Sequence, residues 1–106
     1  MYQLSIITPN GKIFDQEIDS LIAPGAEGFF GVLTKHAPMV SMTNRGVLVV
    51  QKSGGTKYFA VSSGILEVNL EGKVLFLSDS AEETQNAEDA KTKSKDLAAD
   101  YHQKIK

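Results

Sequence analysis

The sequence predicts a mainly β domain, a sandwich or barrel of short strands, followed by a short C-terminal α-helical segment. Two observations carry this. Between residues 2 and 78 roughly eight short apolar runs alternate with turn signals, and no helical period intervenes. At Ser80 the composition changes: glycine disappears, and Ala, Glu, Asp, Lys and Gln take over to the end of the chain. A boundary at residue 80 therefore divides a β-sandwich domain, 1–80, from a helical tail, 81–106.

The elements follow in order. Tyr2, Leu4, Ile6 and Thr8 share one parity, and the run ends at Pro9-Asn10-Gly11, a strand entering a hairpin. From Lys12 to Ala23 the pattern resumes as a second strand, with Phe14, Ile18 and Ile22 on one face and Asp15, Glu17 and Asp19 on the other. The three carboxylates read as the solvated outer face of that strand; a hard-cation or acid/base site is the alternative.

Ala23 to Pro38, APGAEGFFGVLTKHAP, gathers Pro24, Gly25, Gly28, Gly31 and Pro38 around apolar residues with neither period. It reads as a shaped loop, because glycine opens backbone angles that side chains forbid and proline stiffens the entries. Phe29 and Phe30 beside Glu27 admit two readings: a rigid apolar projection for a protein partner, or a plug at the end of the core.

Met39–Met42 is a short strand, and Asn44-Arg45-Gly46 turns into the buried run Val47–Val50. Ser53-Gly54-Gly55-Thr56 closes a hairpin whose return strand is Tyr58–Ser63, and Gly64 marks a bend or bulge. Ile65–Leu70 and Val74–Leu77 form another hairpin around Glu71-Gly72, with Leu66, Val68 and Leu70 facing one way. In the tail, Ser80 and Glu83 have capping-box spacing, and Ala87, Ala90, Ser94, Leu97, Tyr101 and Ile105 trace one narrow stripe. Only three members of it are large, so the helix docks weakly unless a partner covers it. Lys91, Lys93 and Lys95 read as a solvated face.

Composition narrows the function. A chain of 106 residues fits one domain with one core, and a net charge of -2 gives no electrostatic case for nucleic acid. There is no cysteine, and His36 and His102 are too far apart in sequence to make a metal centre alone. No apolar run approaches the roughly 20 residues of a membrane span, and the N-terminus lacks a signal-peptide pattern; action at a membrane would go through an embedded partner. No phosphate-cradling or nucleophile motif is present. His36, with Ser41 or Thr34 as nucleophile, is the one catalytic candidate, and a loop histidine fits a hydrogen-bonding or packing role better. The glycines at 25, 28 and 31 lack the βαβ unit of a dinucleotide site. Function through surfaces is the expectation, with a small ligand-binding or hydrolytic domain using His36 and Glu27 as the alternative.

The stretch APGAEGFFGVLTKHAP, with Gly46-Val47-Leu48, Val61–Val68 (VSSGILEV) and Leu77–Glu82 (LSDSAE), resembles the epsilon subunit of F-type ATP synthases, called delta in mitochondria. The resemblance covers residues 2 to 82 in order. It implies a two-sheet β-sandwich of about ten strands, a non-catalytic rotor subunit bound to gamma and resting on the c-subunit ring, at the cytoplasmic face of the energy-transducing membrane. It implies c-ring contact at Glu27, Gly28 and Phe29, where relatives often carry a carboxylate at the Phe29 position, and gamma contact at Thr8, His36 and Ser41. The tail would reach the alpha and beta subunits if it reaches anything. Longer relatives end in a two-helix hairpin that inhibits hydrolysis; residues 81–106, at about 1.5 Å per residue, build one helix under about 40 Å. The nucleotide motif of some relatives falls on Ala87, Glu88, Lys91 and Thr92, without the arginine, so no cofactor or nucleotide site is expected.

Overall fold

The computed structural model describes residues 1–33 and 37–95. Ten strands are present among the described residues: β1 Tyr2–Thr8, β2 Gly11–Ile18, β3 Ser20–Gly25, β4 Gly28–Val32, β5 Met39–Thr43, β6 Gly46–Lys52, β7 Gly55–Val61, β8 Gly64–Val68, β9 Val74–Ser78 and β10 Ala81–Thr84. A helix, α1, is described over residues 87–95.

The strands hydrogen-bond in the order β10-β7-β6-β3-β5-β8-β9-β1-β2, with β4 on β3. Rather than two separate sheets, this is one path that folds over on itself into a barrel-like sandwich. The halves, β10-β7-β6-β3-β4 and β5-β8-β9-β1-β2, join at a single ladder rung, Gly25 with Thr43. All pairs are antiparallel except β1 with β9.

The core is what alternation requires. Leu4 and Ile6 of β1, Leu48 of β6, Phe59 of β7, Leu66 of β8 and Phe76 of β9 are fully buried, and each strand's other parity faces out. Phe14 and Phe59 meet edge to face across the two halves, centroids 5.5 Å apart at 71°. Tyr2 closes one end of the core, its hydroxyl donating to the Val32 carbonyl.

Several expectations change. Residues 12–23 are two strands, not one. The pairing of β2 with β1 ends at Ile18; the Asp19 N–H donates to the Gln51 carbonyl (2.7 Å), and β3 then pairs with β6. The break shifts the parity, so Leu21 and Ala23 are buried and Ile22 faces out. Ala23–Pro38 is mostly a hairpin: β3 and β4 pair from Leu21–Val32 to Gly25–Gly28 around the turn Ala26-Glu27. The return strand after Gly54 begins at Gly55 and ends at Val61. Gly64 opens β8 because the backbones crowd there: a Cβ would lie 2.2 Å from the Leu77 carbonyl oxygen. Leu70 sits outside β8 in a turn and is 91% exposed, because Asn69 Oδ1 accepts from the N–H groups of Glu71 (2.9 Å) and Lys73 (3.0 Å) and bends the chain away.

The helix does not start at Ser80. Ala81–Thr84 is strand β10 on β7, which carries the sheet to residue 84. Asn86 is the cap instead of Ser80, its Oδ1 accepting from the Asp89 N–H at 2.8 Å. Of the expected stripe, Ala90 and Ser94 are buried and Ala87 is exposed; Leu97, Tyr101 and Ile105 lie outside the described residues. Ala90 packs on Val47 and Ala60, flanked by Val49 and Tyr58, on the outer face of β6–β7. Lys93 adds an ion pair to Glu82 at 3.5 Å.

Candidate functional site

Outward-facing residues of the ladders come together into two apolar surfaces, one on each half of the sandwich. The first is a cross-strand row. Ile7 of β1 pairs with Leu77 of β9, Leu77 with Ile65 of β8, and Ile65 with Met42 of β5. Met42 is 76% exposed and its same-face neighbour Val40 70%. The row floors an open groove of ≈ 460 Å³, with Thr8 and Pro9 at one end and Thr43 and Asp79 among its walls. A contiguous apolar strip of this kind on a sheet face is costly to leave in water, and its usual purpose is to be covered by another protein surface.

Of the three residues expected at the gamma contact, Thr8 lines this groove and Ser41 lies on β5 with the opposite parity to Met42. Thr8 is buried at the end of β1, where its hydroxyl accepts from the Asn10 N–H at 3.2 Å; it shapes the groove wall and the turn after it. Ser41 is half-buried between Val40 and Met42, and its hydroxyl donates to the Met42 carbonyl at 3.3 Å, so β5 presents the two apolar neighbours more than the serine. His36 lies outside the described residues.

The second surface is the β3–β4 hairpin. Glu27 and Gly28 form its exposed tip, with Gly28 at φ +123°, a backbone angle that favours glycine as the turn returns to strand. The two phenylalanines divide the roles expected of them. Phe30 turns in against the core, with its ring lying over Gly25, where a Cβ would come within 2.7 Å of Cδ1. Phe29 turns out and is 69% exposed. Leu33 and, from β3, Ile22 are exposed on the same hairpin. Glu27, Gly28 and Phe29 are thus brought to one projecting tip.

Elsewhere the charged groups behave as surface. Asp15 accepts from Gln3 (2.6 Å), Ser5 (2.8 Å) and Lys12 (2.9 Å), and these bonds, the Gln3 amide first, hold its carboxyl down at about 2. With Asp15, Glu17 and Asp19 all exposed, the solvated-face reading of the carboxylates stands. Burial of the Tyr2 ring pushes its hydroxyl up to about 12. No helix among the described residues is long and apolar enough to cross a membrane.

Alternation arguments did not single out Val40, Met42, Ile65 and Leu77. The signal for them was present: Ile6-Ile7, Ile65-Leu66 and Val74-Leu75-Phe76-Leu77 are apolar on both parities, the mark of a strand covered on both faces.

Comparison with known proteins places this geometry in a family. Residues 1–84 match the family model of the β-sandwich domain of the ATP synthase delta/epsilon chain. The ATP synthase epsilon chain of a Sulfurovum species is 44% identical over 72 residues, 67% of this chain and 56% of the relative. That of Pelotomaculum thermopropionicum is 36% identical over 92 residues, 87% of this chain and 68% of the relative. The match thus spans little more than half of the first relative. Among solved structures, a chain of the Euglena gracilis mitochondrial ATP synthase, determined as OSCP, F1 and c-ring, superposes with a TM-score of 0.72 at 27% identity, covering 77% of this chain and 52% of that one. A chain of the Tetrahymena thermophila mitochondrial ATP synthase central stalk and c-ring shares the fold, with a TM-score of 0.67 at 12% identity, covering 76% and 64%. With the family model covering the whole sandwich, the chain belongs to the ATP synthase delta/epsilon family.

Proposed function

We propose that this chain is a non-catalytic central-stalk subunit of a proton-translocating F-type ATP synthase, linking the gamma subunit to the c ring so that rotation is coupled to ATP synthesis. The observation that carries the reading is the pair of apolar surfaces on the two halves of a stiff sandwich, in a family whose solved relatives come from synthase assemblies containing the c ring. A body that passes torque needs two separate footholds and little compliance between them. The ladders supply the stiffness, since each sheared rung would break backbone hydrogen bonds.

In this reading the row Ile7–Leu77–Ile65–Met42 docks on gamma beside Thr8, and the expected gamma contacts of Ser41 and His36 are part of the same proposal. The tip Glu27-Gly28-Phe29 rests on the c ring. Phe29 makes that second contact apolar where a relative with a carboxylate would make it charged. The subunit sits peripherally at the cytoplasmic face of the membrane and needs no cofactor. Its tail, anchored on the sandwich by Ala90 and the Lys93–Glu82 pair, is the part facing the alpha and beta subunits.

The test is a titration of the purified chain against a gamma-containing catalytic sector depleted of epsilon, at physiological salt. Saturable one-to-one binding is expected. A folded chain that does not bind would overturn the assignment.

A further inference from the structure

If the two surfaces are the footholds of a rotor subunit, force must cross from one half of the sandwich to the other, and the ladder pairing between the halves is narrow. Away from it the halves are tied by the Tyr2 hydroxyl on the Val32 carbonyl, the Asp19 N–H on the Gln51 carbonyl and Lys52 on Gln16. β3 and β5 share one ladder rung, Gly25 with Thr43. Immediately beyond it Asn44 grips the base of the β3–β4 hairpin twice. Its backbone N–H donates to the Pro24 carbonyl at 2.8 Å, and its side-chain Nδ2 donates to the Gly25 carbonyl at 3.2 Å. Gly46, two residues on, approaches the Pro24 ring so closely that a Cβ would lie 3.1 Å from Pro24 Cβ. Gly25 itself is roofed by the Phe30 ring.

We infer that Asn44 is a positioning residue for coupling: a strut that fixes the Glu27-Gly28-Phe29 tip relative to β5, the strand carrying Val40 and Met42. This rests on the rotor reading above. The hairpin has β4 as an edge strand, paired among the described strands to β3 alone. The Tyr2 hydroxyl on the Val32 carbonyl and the inward Phe30 ring hold its far end, which leaves the tip end to be fixed from β3. Its tilt is set where β3 meets β5. Asn44 stands two residues after Met42 and one after Thr43, so the residue that anchors the tip is covalently continuous with the strand that presents the other surface. An exposed asparagine at a β corner usually serves only its own turn. Here its side chain reaches across to Gly25 of the β3–β4 pair, 19 residues earlier in the chain.

The test uses Asn44→Ala, which deletes the side-chain bond and keeps the backbone one, and Asn44→Asp, which sets a carboxylate against the Gly25 carbonyl. In the isolated full chain, hydrogen exchange at the β3–β4 amides near the tip is expected to rise about 2- to 10-fold, the loss of one net hydrogen bond, with β1–β9 amides unchanged. In synthase depleted of epsilon and reassembled with the variants in inverted vesicles, affinity for the gamma-containing sector is expected to match the parent chain, while protons pumped per ATP hydrolysed fall, most for Asn44→Asp. Unchanged exchange at the tip, exchange raised equally throughout the sandwich, or an unaltered pumping ratio would each overturn the strut. Failure of the parent chain itself to bind would instead refute the rotor reading, and the exchange comparison would still decide whether Asn44 holds the tip.

Discussion

Met42→Asp separates a binding surface from a merely untidy sheet face. Met42 projects from β5 with three quarters of its surface in water, so its replacement removes almost no internal packing. The isolated domain should therefore keep its stability to within about 1 kcal/mol, the range for exposed strand substitutions. In a complex the same position lies at the end of the row formed with Ile65, Leu77 and Ile7. A fully covered methionine contributes about 1.5–3 kcal/mol; scaled by its exposure in the free chain, Met42 contributes roughly 1–2. Aspartate loses that and adds the cost of desolvating an unpaired carboxylate, for a total of at least about 2 kcal/mol, or about a thirtyfold rise in Kd. Titration of the variant against the gamma-containing sector, beside a thermal melt of the free chain, measures both. An unchanged Kd with an unchanged melt would refute the claim that this row is buried in the complex.

Other outcomes follow from single features. Phe29→Lys, which supplies neither the apolar ring nor the carboxylate found in relatives, should leave the melt of the free chain unchanged but reduce coupled proton pumping in the reassembled enzyme; full coupling would remove Phe29 from the c-ring contact. Gly64→Ala places a Cβ 2.2 Å from the Leu77 carbonyl oxygen and should destabilise by about 3 kcal/mol or more in denaturant titration, since backbone must move. Thr43 Oγ1 is buried with no hydrogen-bond partner among the described residues, so Thr43→Val should hold or raise stability by about 1 kcal/mol; a loss of that size would contradict the orphaned hydroxyl. Tyr2 titrates near 12 when folded against about 10 unfolded, so the folded state holds its proton longer. That contribution is complete below pH 10 and lost as pH rises toward 12. Stability measured across this range should fall less steeply in Tyr2→Phe.

The sandwich was legible because alternation and turn chemistry act locally: Leu4 and Ile6, Leu66 and Val68, and the Ser53-Gly54 turn needed no knowledge of their neighbours. The misreadings share a cause, which is that pairing partners are non-local. β10 consists of Ala, Glu, Glu and Thr, residues with ordinary helix preference, and becomes strand only because β7 offers an edge. Asp19 carries no breaker signal, yet the chain changes partners there. The glycine-rich stretch looked like a loop because Gly25, Gly28 and Gly31 hide the alternation of Phe30 and Val32. Glu27, Gly28 and Phe29, inferred together from resemblance, lie together at the hairpin tip, whereas the apolar row on the other half emerged only once four strands were aligned.

The chain has no cysteine, so a single one introduced at an exposed position gives an unambiguous cross-linking probe. The most direct test of the central claim places it at residue 42 in one variant and residue 29 in another, each assembled into synthase depleted of epsilon. The account predicts adducts with gamma from position 42 and with the c subunit from position 29. Adducts of both positions with the same subunit, or with neither, would contradict a body that bridges two partners through two surfaces.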